Sequence, residues 1–172
     1  VEDITIYDIF QERSAEIIAN ANIIFCLDFN ALDRIDKLGE LIHHRSGVTK
    51  ILIDHHLDPE PFADYIISDT ASSSTCELIY QFICDLGDKS KITIPIAECI
   101  YTGIMTDTGS FKYATNVRLF RQMAELKAIG LEDFRIQDLI FNSAQEKQLR
   151  LLGHCLANRM EVLSEYQTAI IH

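Results

Sequence analysis

The sequence predicts an α/β domain in which a parallel sheet is flanked by helices. Three short apolar runs in the first 70 residues carry this prediction, and they span residues 21–29, 50–53 and 64–68. Continuous β-rich runs are typical of strands covered on both faces, as in a parallel sheet. Between the first two runs, apolar residues recur at helical spacing over residues 31–42. These three segments therefore predict a β-α-β unit.

The remainder of the chain is predicted to be mostly helical. The expected helix starts are a capping box at Ser74 and Glu77, Pro95, Asn116 and a second capping box at Ser143 and Glu146. Gly87 and Gly130 are the expected stops, because glycine readily takes the left-handed conformation that ends a helix. We expect residues 161–172 to form a strand, either at a sheet edge or at the start of a further domain.

Composition and charge restrict the classes of function. Hydrophobic residues make up 48% of the 172 residues, which predicts a globular chain with a buried core. The formal net charge is −11. A chain this acidic is poorly suited to a long nucleic acid, whose binding depends on Lys and Arg. A small anionic ligand stays compatible, because a bound cation reverses the local field.

The cysteines and the apolar profile predict a cytoplasmic protein that does not enter a membrane. There are five cysteines, and none forms a Cys-x-x-Cys pair. We interpret them as reduced core residues in a reducing compartment. No apolar run approaches the ~20 residues of a membrane span, and the first residues lack the basic start of a signal peptide.

Each of the three predicted strands ends in an aspartate, at Asp28, Asp54 and Asp69. The carboxyl ends of parallel strands meet at one edge of a sheet, where ligands bind. One such aspartate is readily explained as a helix cap or a turn residue. Three anions at one edge repel each other and favour a bound cation.

The strongest local signal is Asp54-His55-His56, directly after the second strand. Carboxylate oxygen and imidazole nitrogen together suit Mn²⁺, Fe²⁺, Co²⁺ or Zn²⁺ better than Ca²⁺. Successive side chains on a strand alternate in direction. We therefore expect one histidine to bind metal and the other to contact substrate or a supporting carboxylate. The pair His43-His44 lies at an exposed helix end, and we assign it no special role.

Asp107 lies between two threonines at the expected end of a helix. The helix dipole disfavours an anion at this position, so packing alone is a poor explanation for the residue. A solvated turn is the simple interpretation. The functional interpretation is another metal-binding carboxylate.

Taken together, these motifs resemble the DHH phosphoesterases, and most closely the bacterial nano-oligoribonucleases and 3′-phosphoadenosine-5′-phosphate phosphatases. The resemblance extends over nearly the whole chain. It rests on Asp28, Asp54-His55-His56, Ser72-Ser73-Ser74-Thr75 with Glu77, and Thr106-Asp107-Thr108-Gly109 with Phe111.

The resemblance implies a centre that holds two divalent metal ions, with Mn²⁺ expected and other transition metals possible. Asp28 would bridge the two ions, and His55 and Asp107 would complete the shell of one. His56 would act at the scissile phosphate, with Asp54 as its support.

The same resemblance implies a substrate pocket beside the helix start at Ser73, Ser74 and Thr75. Helix capping is the other interpretation of these three residues. The implied ligand is a small nucleotide or a very short oligonucleotide, and pairing of this domain in the family makes a homodimer possible.

Two family motifs do not occur in this sequence. There is no Asp-x-Asp, which supplies further metal ligands, and no Gly-Gly of the glycine-rich substrate motif. We therefore expect a partial catalytic domain at 1–142 that lacks its first β-α unit, with residues 1–7 following that unit. A connecting helix at 143–160 and the beginning of, or an edge strand leading to, a second domain at 161–172 would follow.

The implied reaction is hydrolysis of phosphoester bonds by a two-metal mechanism. Pyrophosphate, polyphosphate, cyclic dinucleotides and single-stranded DNA ends are alternative substrates. A non-catalytic module that binds nucleotide or metal is a different class of function, and an incidental cluster in a structural domain is a third.

Overall fold

The computed structural model describes residues 4–172, which form two compact units. The first runs to Leu131 and the second is Glu132–His172. The domain boundaries expected at residues 142 and 160 stay predictions. The expectation for residues 1–7 lies in part outside the described residues, since these begin at Ile4.

The first unit contains a three-stranded parallel sheet with helices on both faces, which confirms the predicted fold class. Its elements in chain order are α1 (Gln11–Asn20), β1 (Ile23–Leu27), α2 (Asp36–His44), β2 (Thr49–Asp54), β3 (Tyr65–Ser68), α3 (Thr75–Asp85), α4 (Ile94–Asp107) and α5 (Val117–Ile129). The strand order is β1-β2-β3, so β2 is central. Leu27 is opposite Ile53, and Asp54 is opposite Ser68, which aligns the carboxyl ends of the strands at one edge.

One face of the sheet is covered by α2 and the turn before it. The core there consists of Cys26, Leu32, Ile42 and Leu52, with Ile18 of α1 packed against it. The single helix predicted over residues 31–42 is wrong in detail, because a 3-10 turn at Leu32–Ile35 precedes α2. Asp36 has φ of 47°, and one α-helix cannot run through a residue in that conformation. Helix α1 has no side-chain cap and was not predicted from the sequence.

Helices α3, α4 and α5 pack together on the other side, with α3 against β2. The Ser74 hydroxyl accepts from the Glu77 N–H, and the Asn116 side chain accepts from the Leu119 N–H, so both predicted helix starts are confirmed. Gly130 ends α5 in the left-handed conformation, as predicted. The first capping box is only half formed, because the Glu77 carboxylate accepts from the N–H of Ser73.

The second unit contains α6 (Asp133–Phe141), α7 (Glu146–Asn158), β4 (Met160–Leu163) and β5 (Thr168–Ile171). The capping box of α7 joins Gln145 and Gln148, so the prediction of Ser143 and Glu146 was wrong. The side chain of Gln145, and not that of Ser143, accepts the backbone N–H of Gln148. Strands β4 and β5 pair as an antiparallel hairpin, whereas we expected one strand. Within residues 4–172, none of the helices has the length and apolar character that crossing a bilayer requires.

Candidate metal centre

The candidate centre lies where β1, β2 and α4 end. Asp28 directly follows β1, Asp54 is the last residue of β2, and Asp107 is the last residue of α4. Asp28 has φ of 67°, a conformation that aspartate tolerates better than most residues. Its N–H still donates to the Ile53 carbonyl at 3.2 Å, so the chain turns away only after the last ladder bond.

His55 lies between two carboxylates. Its Nε2 is 3.8 Å from Oδ1 of Asp28 and 3.9 Å from Oδ2 of Asp107. Ligands bound at about 2.0–2.2 Å around one transition-metal ion are separated by distances of this order. The chemistry of these donors, one imidazole nitrogen and two carboxylate oxygens, also fits Mn²⁺ and its neighbours. The residues therefore fit a divalent metal ion.

His56 lies on the same side as His55. The two ring centroids are 4.7 Å apart, and Asp28, His55 and His56 each offer a ligand atom within 4.8 Å of the others. The expected alternation of the two histidines does not apply, because β2 ends at Asp54. Both rings therefore reach the candidate centre.

Asp54 holds His56 and is itself fully buried. Its Oδ1 lies 2.7 Å from Nδ1 of His56, and its Oδ2 accepts from the His56 backbone N–H at 3.1 Å. Since a carboxylate only accepts, the imidazole presents Nδ1–H to Asp54 and leaves Nε2 free. This is the arrangement in which a carboxylate fixes the orientation and tautomer of a functional imidazole.

Asp69, the third strand-end aspartate, has other partners. Its Oδ1 accepts from the Ala71 N–H at 2.9 Å, and its Oδ2 lies 3.2 Å from the Arg118 guanidinium. These contacts, led by the backbone hydrogen bond, lower the pKa of Asp69. Asp69 lies at the predicted edge, where its N–H donates to the Asp54 carbonyl at 3.4 Å, but a turn and an arginine engage its carboxylate, so it does not join the candidate centre.

The charged form of Asp107 is disfavoured in the centre. Burial and then the neighbouring Asp28 carboxylate raise the pKa of Asp107, and His55 and His56 oppose this only in part. An unfavourable charge of this kind is relieved by a cation. The electrostatics thus agree with the ligand geometry.

The predicted substrate residues at the start of α3 are all buried. Thr75 donates its hydroxyl hydrogen to Oδ1 of Asp28 at 2.8 Å, which brings it to the centre. Ser74 caps α3. Among the described residues, no protein group satisfies the Ser73 hydroxyl. Substrate contacts by these three residues stay predictions.

Two further contacts that support the centre were not predicted from the sequence. Nε of Arg118 donates to the buried Glu77 carboxylate at 2.8 Å, which ties α5 to the first turn of α3. Gly103 of α4 lies against Cys76 of α3. A glycine within a helical pattern was the available signal for this close approach. Burial, with Asp107 and Asp28 nearby, raises the pKa of Cys76 to about 11, so this residue stays a neutral thiol.

The fold and the donor set define a class of protein: an α/β domain with an Asp/His metal centre at the carboxyl edge of a parallel sheet. Residues 3–104 match the DHH family, N-terminal domain, and the chain belongs to this family. The resemblance found from the motifs is thereby confirmed.

The chain is also similar to a solved structure and to named proteins, and these similarities agree with the family assignment. The crystal structure of an exopolyphosphatase-related protein from Bacteroides fragilis is 43% identical, with a TM-score of 0.94 over 99% of this chain and 50% of that one. The bifunctional oligoribonuclease and PAP phosphatase NrnA of Bacillus subtilis is 34% identical, over 74% of this chain and 46% of its own length. The cyclic-di-AMP phosphodiesterase GdpP of Geobacillus thermodenitrificans is 25% identical, over 77% of this chain and 20% of its own length. The chain thus spans half or less of the length of each.

Proposed function

We propose that this protein hydrolyses phosphoester bonds in small nucleotides or very short oligonucleotides. The observation that carries the proposal is the placement of His55 between Asp28 and Asp107 in a DHH-family domain. The B. subtilis relative, which is named for oligoribonuclease and PAP phosphatase activities, supports this substrate class. The net charge of −11 also favours short substrates over long nucleic acids.

The residues at the centre would hold divalent ions, and Mn²⁺ is our proposed metal. Asp28, His55 and Asp107 would bind one ion, and Asp28 would be shared with a second. Two such ions supply Lewis acidity, which neutralises phosphate charge and lowers the pKa of a water molecule. The protein contributes a rigid arrangement, because two of the ligands sit at strand ends and the third at a helix end.

His56 would contact the phosphate at the bond to be cleaved. Asp54 engages its Nδ1, so Nε2 is the nitrogen available for a phosphate oxygen or a leaving oxygen. Asp54 is inaccessible to solvent, and its part is to hold the ring in one orientation and one tautomer. Ser73 is the serine we assign to the pocket, because its hydroxyl lacks a protein partner among the described residues.

Cyclic dinucleotides are the second candidate substrate class. The observation that favours them is the match to a cyclic-di-AMP phosphodiesterase over 77% of this chain. The reaction class is the same, so metal dependence does not separate the two candidates. Comparison of the rates of hydrolysis on both substrates separates them directly.

The decisive experiment is hydrolysis of 3′-phosphoadenosine-5′-phosphate, a short RNA oligomer and cyclic di-AMP by the full-length protein, with Mn²⁺ or with EDTA. We expect Mn²⁺-dependent release of phosphate or mononucleotides, and loss of this activity in Asp107→Ala. Tight Mn²⁺ binding without turnover would favour a non-catalytic module instead. Normal turnover in a folded, metal-loaded Asp107→Ala protein would contradict the ligand assignment.

We also propose a cytoplasmic location and a homodimer. The free thiols of all five cysteines agree with a reducing compartment. Cell fractionation tests the location. Light scattering of the purified full-length protein tests the homodimer, and a monomeric mass at working concentration would contradict it.

A further inference from the structure

The Asp28 carboxylate depends on other residues for its orientation. The Asp28 side chain is 58% exposed, and the second torsion of aspartate has a broad energy minimum. Water alone would leave this carboxylate free to rotate. The described residues give it a hydrogen bond from Thr75, whose hydroxyl lies 2.8 Å from Oδ1.

Thr75 is itself held firmly. It is only 3% exposed, and it is the first residue of α3, directly after the cap residue Ser74. The preceding Ser73 N–H donates to Glu77, which Arg118 binds in turn. Thr75 is therefore a rigid donor, placed on the strand-end aspartate by the start of a capped helix. The positive end of the α3 dipole favours the same carboxylate.

We propose that Thr75 is a positioning residue, which fixes the Asp28 carboxylate for metal binding. The hydrogen bond holds Oδ1 of Asp28 at 3.8 Å from Nε2 of His55, a separation that a single bound ion can span. In this role Thr75 acts through Asp28 and does not touch substrate, in contrast to its predicted place in the pocket. The inference rests on the proposed metal centre, but it does not depend on which substrate is hydrolysed.

The hydroxyl, and not the bulk of the side chain, carries this role. Thr75→Val keeps the shape and removes the donor, whereas Thr75→Ser keeps the donor and removes a methyl group. A merely structural threonine would respond to the loss of the methyl group. A positioning threonine responds to the loss of the hydroxyl.

The test is Mn²⁺ affinity of the full-length protein, measured by electron paramagnetic resonance of free Mn²⁺ without substrate. Loss of a hydrogen bond to a metal ligand typically weakens metal binding about 10- to 100-fold, and we expect this for Thr75→Val. Thr75→Ser should bind Mn²⁺ as the parent does. The matched control is Thr102→Val in α4, whose hydroxyl donates to the Glu98 carbonyl of its own helix at 2.7 Å. It should leave the affinity unchanged.

Parent affinity in folded Thr75→Val would overturn the inference, as would Thr75→Ser that binds as weakly as Thr75→Val. Should Thr75→Val not fold, Thr75→Ala makes the same comparison with Thr75→Ser. If the parent protein binds Mn²⁺ but hydrolyses no phosphoester, the proposed function is wrong, and the role of Thr75 can still be tested by Mn²⁺ affinity. A parent that binds no Mn²⁺ would overturn both.

Discussion

The carboxylate of Asp54 lies 2.7 Å from Nδ1 of His56 and is inaccessible to solvent. A buried carboxylate is stable only if its oxygens find partners. Here one oxygen binds the imidazole and the other accepts the backbone N–H of the same residue. The pair therefore makes His56 one of the most constrained side chains of the centre.

Asp54→Asn should leave the fold intact and reduce kcat by about 100-fold or more, as expected for an imidazole that loses its orienting carboxylate. The amide accepts through its oxygen only, so it either leaves the backbone N–H without an acceptor or turns its NH2 towards Nδ1, which forces the ring proton onto Nε2. Steady-state kinetics and circular dichroism measure the two effects. Asp64→Asn is the control, because Asp64 accepts a backbone N–H from Lys50 at 2.8 Å. Parental kcat in folded Asp54→Asn would show that the pair is not functional.

Asp107→Asn should stabilise the metal-free protein. The pKa of Asp107 is raised, mainly by burial and then by Asp28, so its charged form is unfavourable in the folded state. This destabilisation is fully present above the raised pKa and disappears below the ordinary value of 3.8. In EDTA, the variant should therefore have a higher Tm than the parent at neutral pH, and the difference should shrink as the pH falls towards 4.

Asp69→Asn should change the Tm in the opposite direction. The pKa of Asp69 is lowered, so its charge stabilises the fold above the ordinary pKa and ceases to do so as the pH falls through the lowered value. This variant should have a lower Tm than the parent at neutral pH. A lower Tm for Asp107→Asn in EDTA would contradict the electrostatic account of the centre.

Gly103→Ala should destabilise the protein by about 1–3 kcal/mol, the usual cost of overpacking. A Cβ at Gly103 would overlap Sγ of Cys76 and lie 3.0 Å from its Cβ, so α4 would be pushed from α3. Gly153→Ala in α7 is the matched control. No atom lies within 4 Å of its added methyl group, so only the gain in helix propensity, up to about 1 kcal/mol, remains.

Denaturant unfolding of both variants measures this difference. Cys76→Ala combined with Gly103→Ala should recover much of the lost stability, because residues in contact do not contribute additively. Equal stability of the two glycine variants would show that the helices separate at no cost.

Arg118→Ala should destabilise the protein by about 2 kcal/mol, because it removes a charged hydrogen-bond partner from a buried carboxylate. Glu77 is 1% exposed and would keep only its hydrogen bond from the Ser73 N–H. The control is Arg150→Ala. It removes a contact of the same kind, from Nε of Arg150 to the Glu146 carboxylate at 2.7 Å, but both of these side chains are exposed. This control should change the free energy of unfolding by about 0.5 kcal/mol or less. If urea unfolding shows the same loss of stability for Arg118→Ala and Arg150→Ala, burial of Glu77 does not strengthen its contact with Arg118.

Local patterns were sufficient for the elements that local chemistry controls. Apolar runs located the three parallel strands, and Ser74, Asn116 and Gly130 marked helix ends through bonds to residues close by in the chain. Where several local partners competed, the prediction was wrong, as at the start of α7. The helix α1 was missed because it lacks a capping side chain and is stabilised by packing of residues such as Ile18.

The sequence by itself determined the fold class and which residue types are available at the sheet edge, because strand periodicity and the Asp54-His55-His56 motif are local. Tertiary structure decided which of them meet. It placed His55 between Asp28 and Asp107, directed Asp69 to Arg118, and joined Thr75 to Asp28 across 47 residues. These contacts depend on strand register and on the packing of α3 against α4. Neither is encoded in the spacing of residues along the chain.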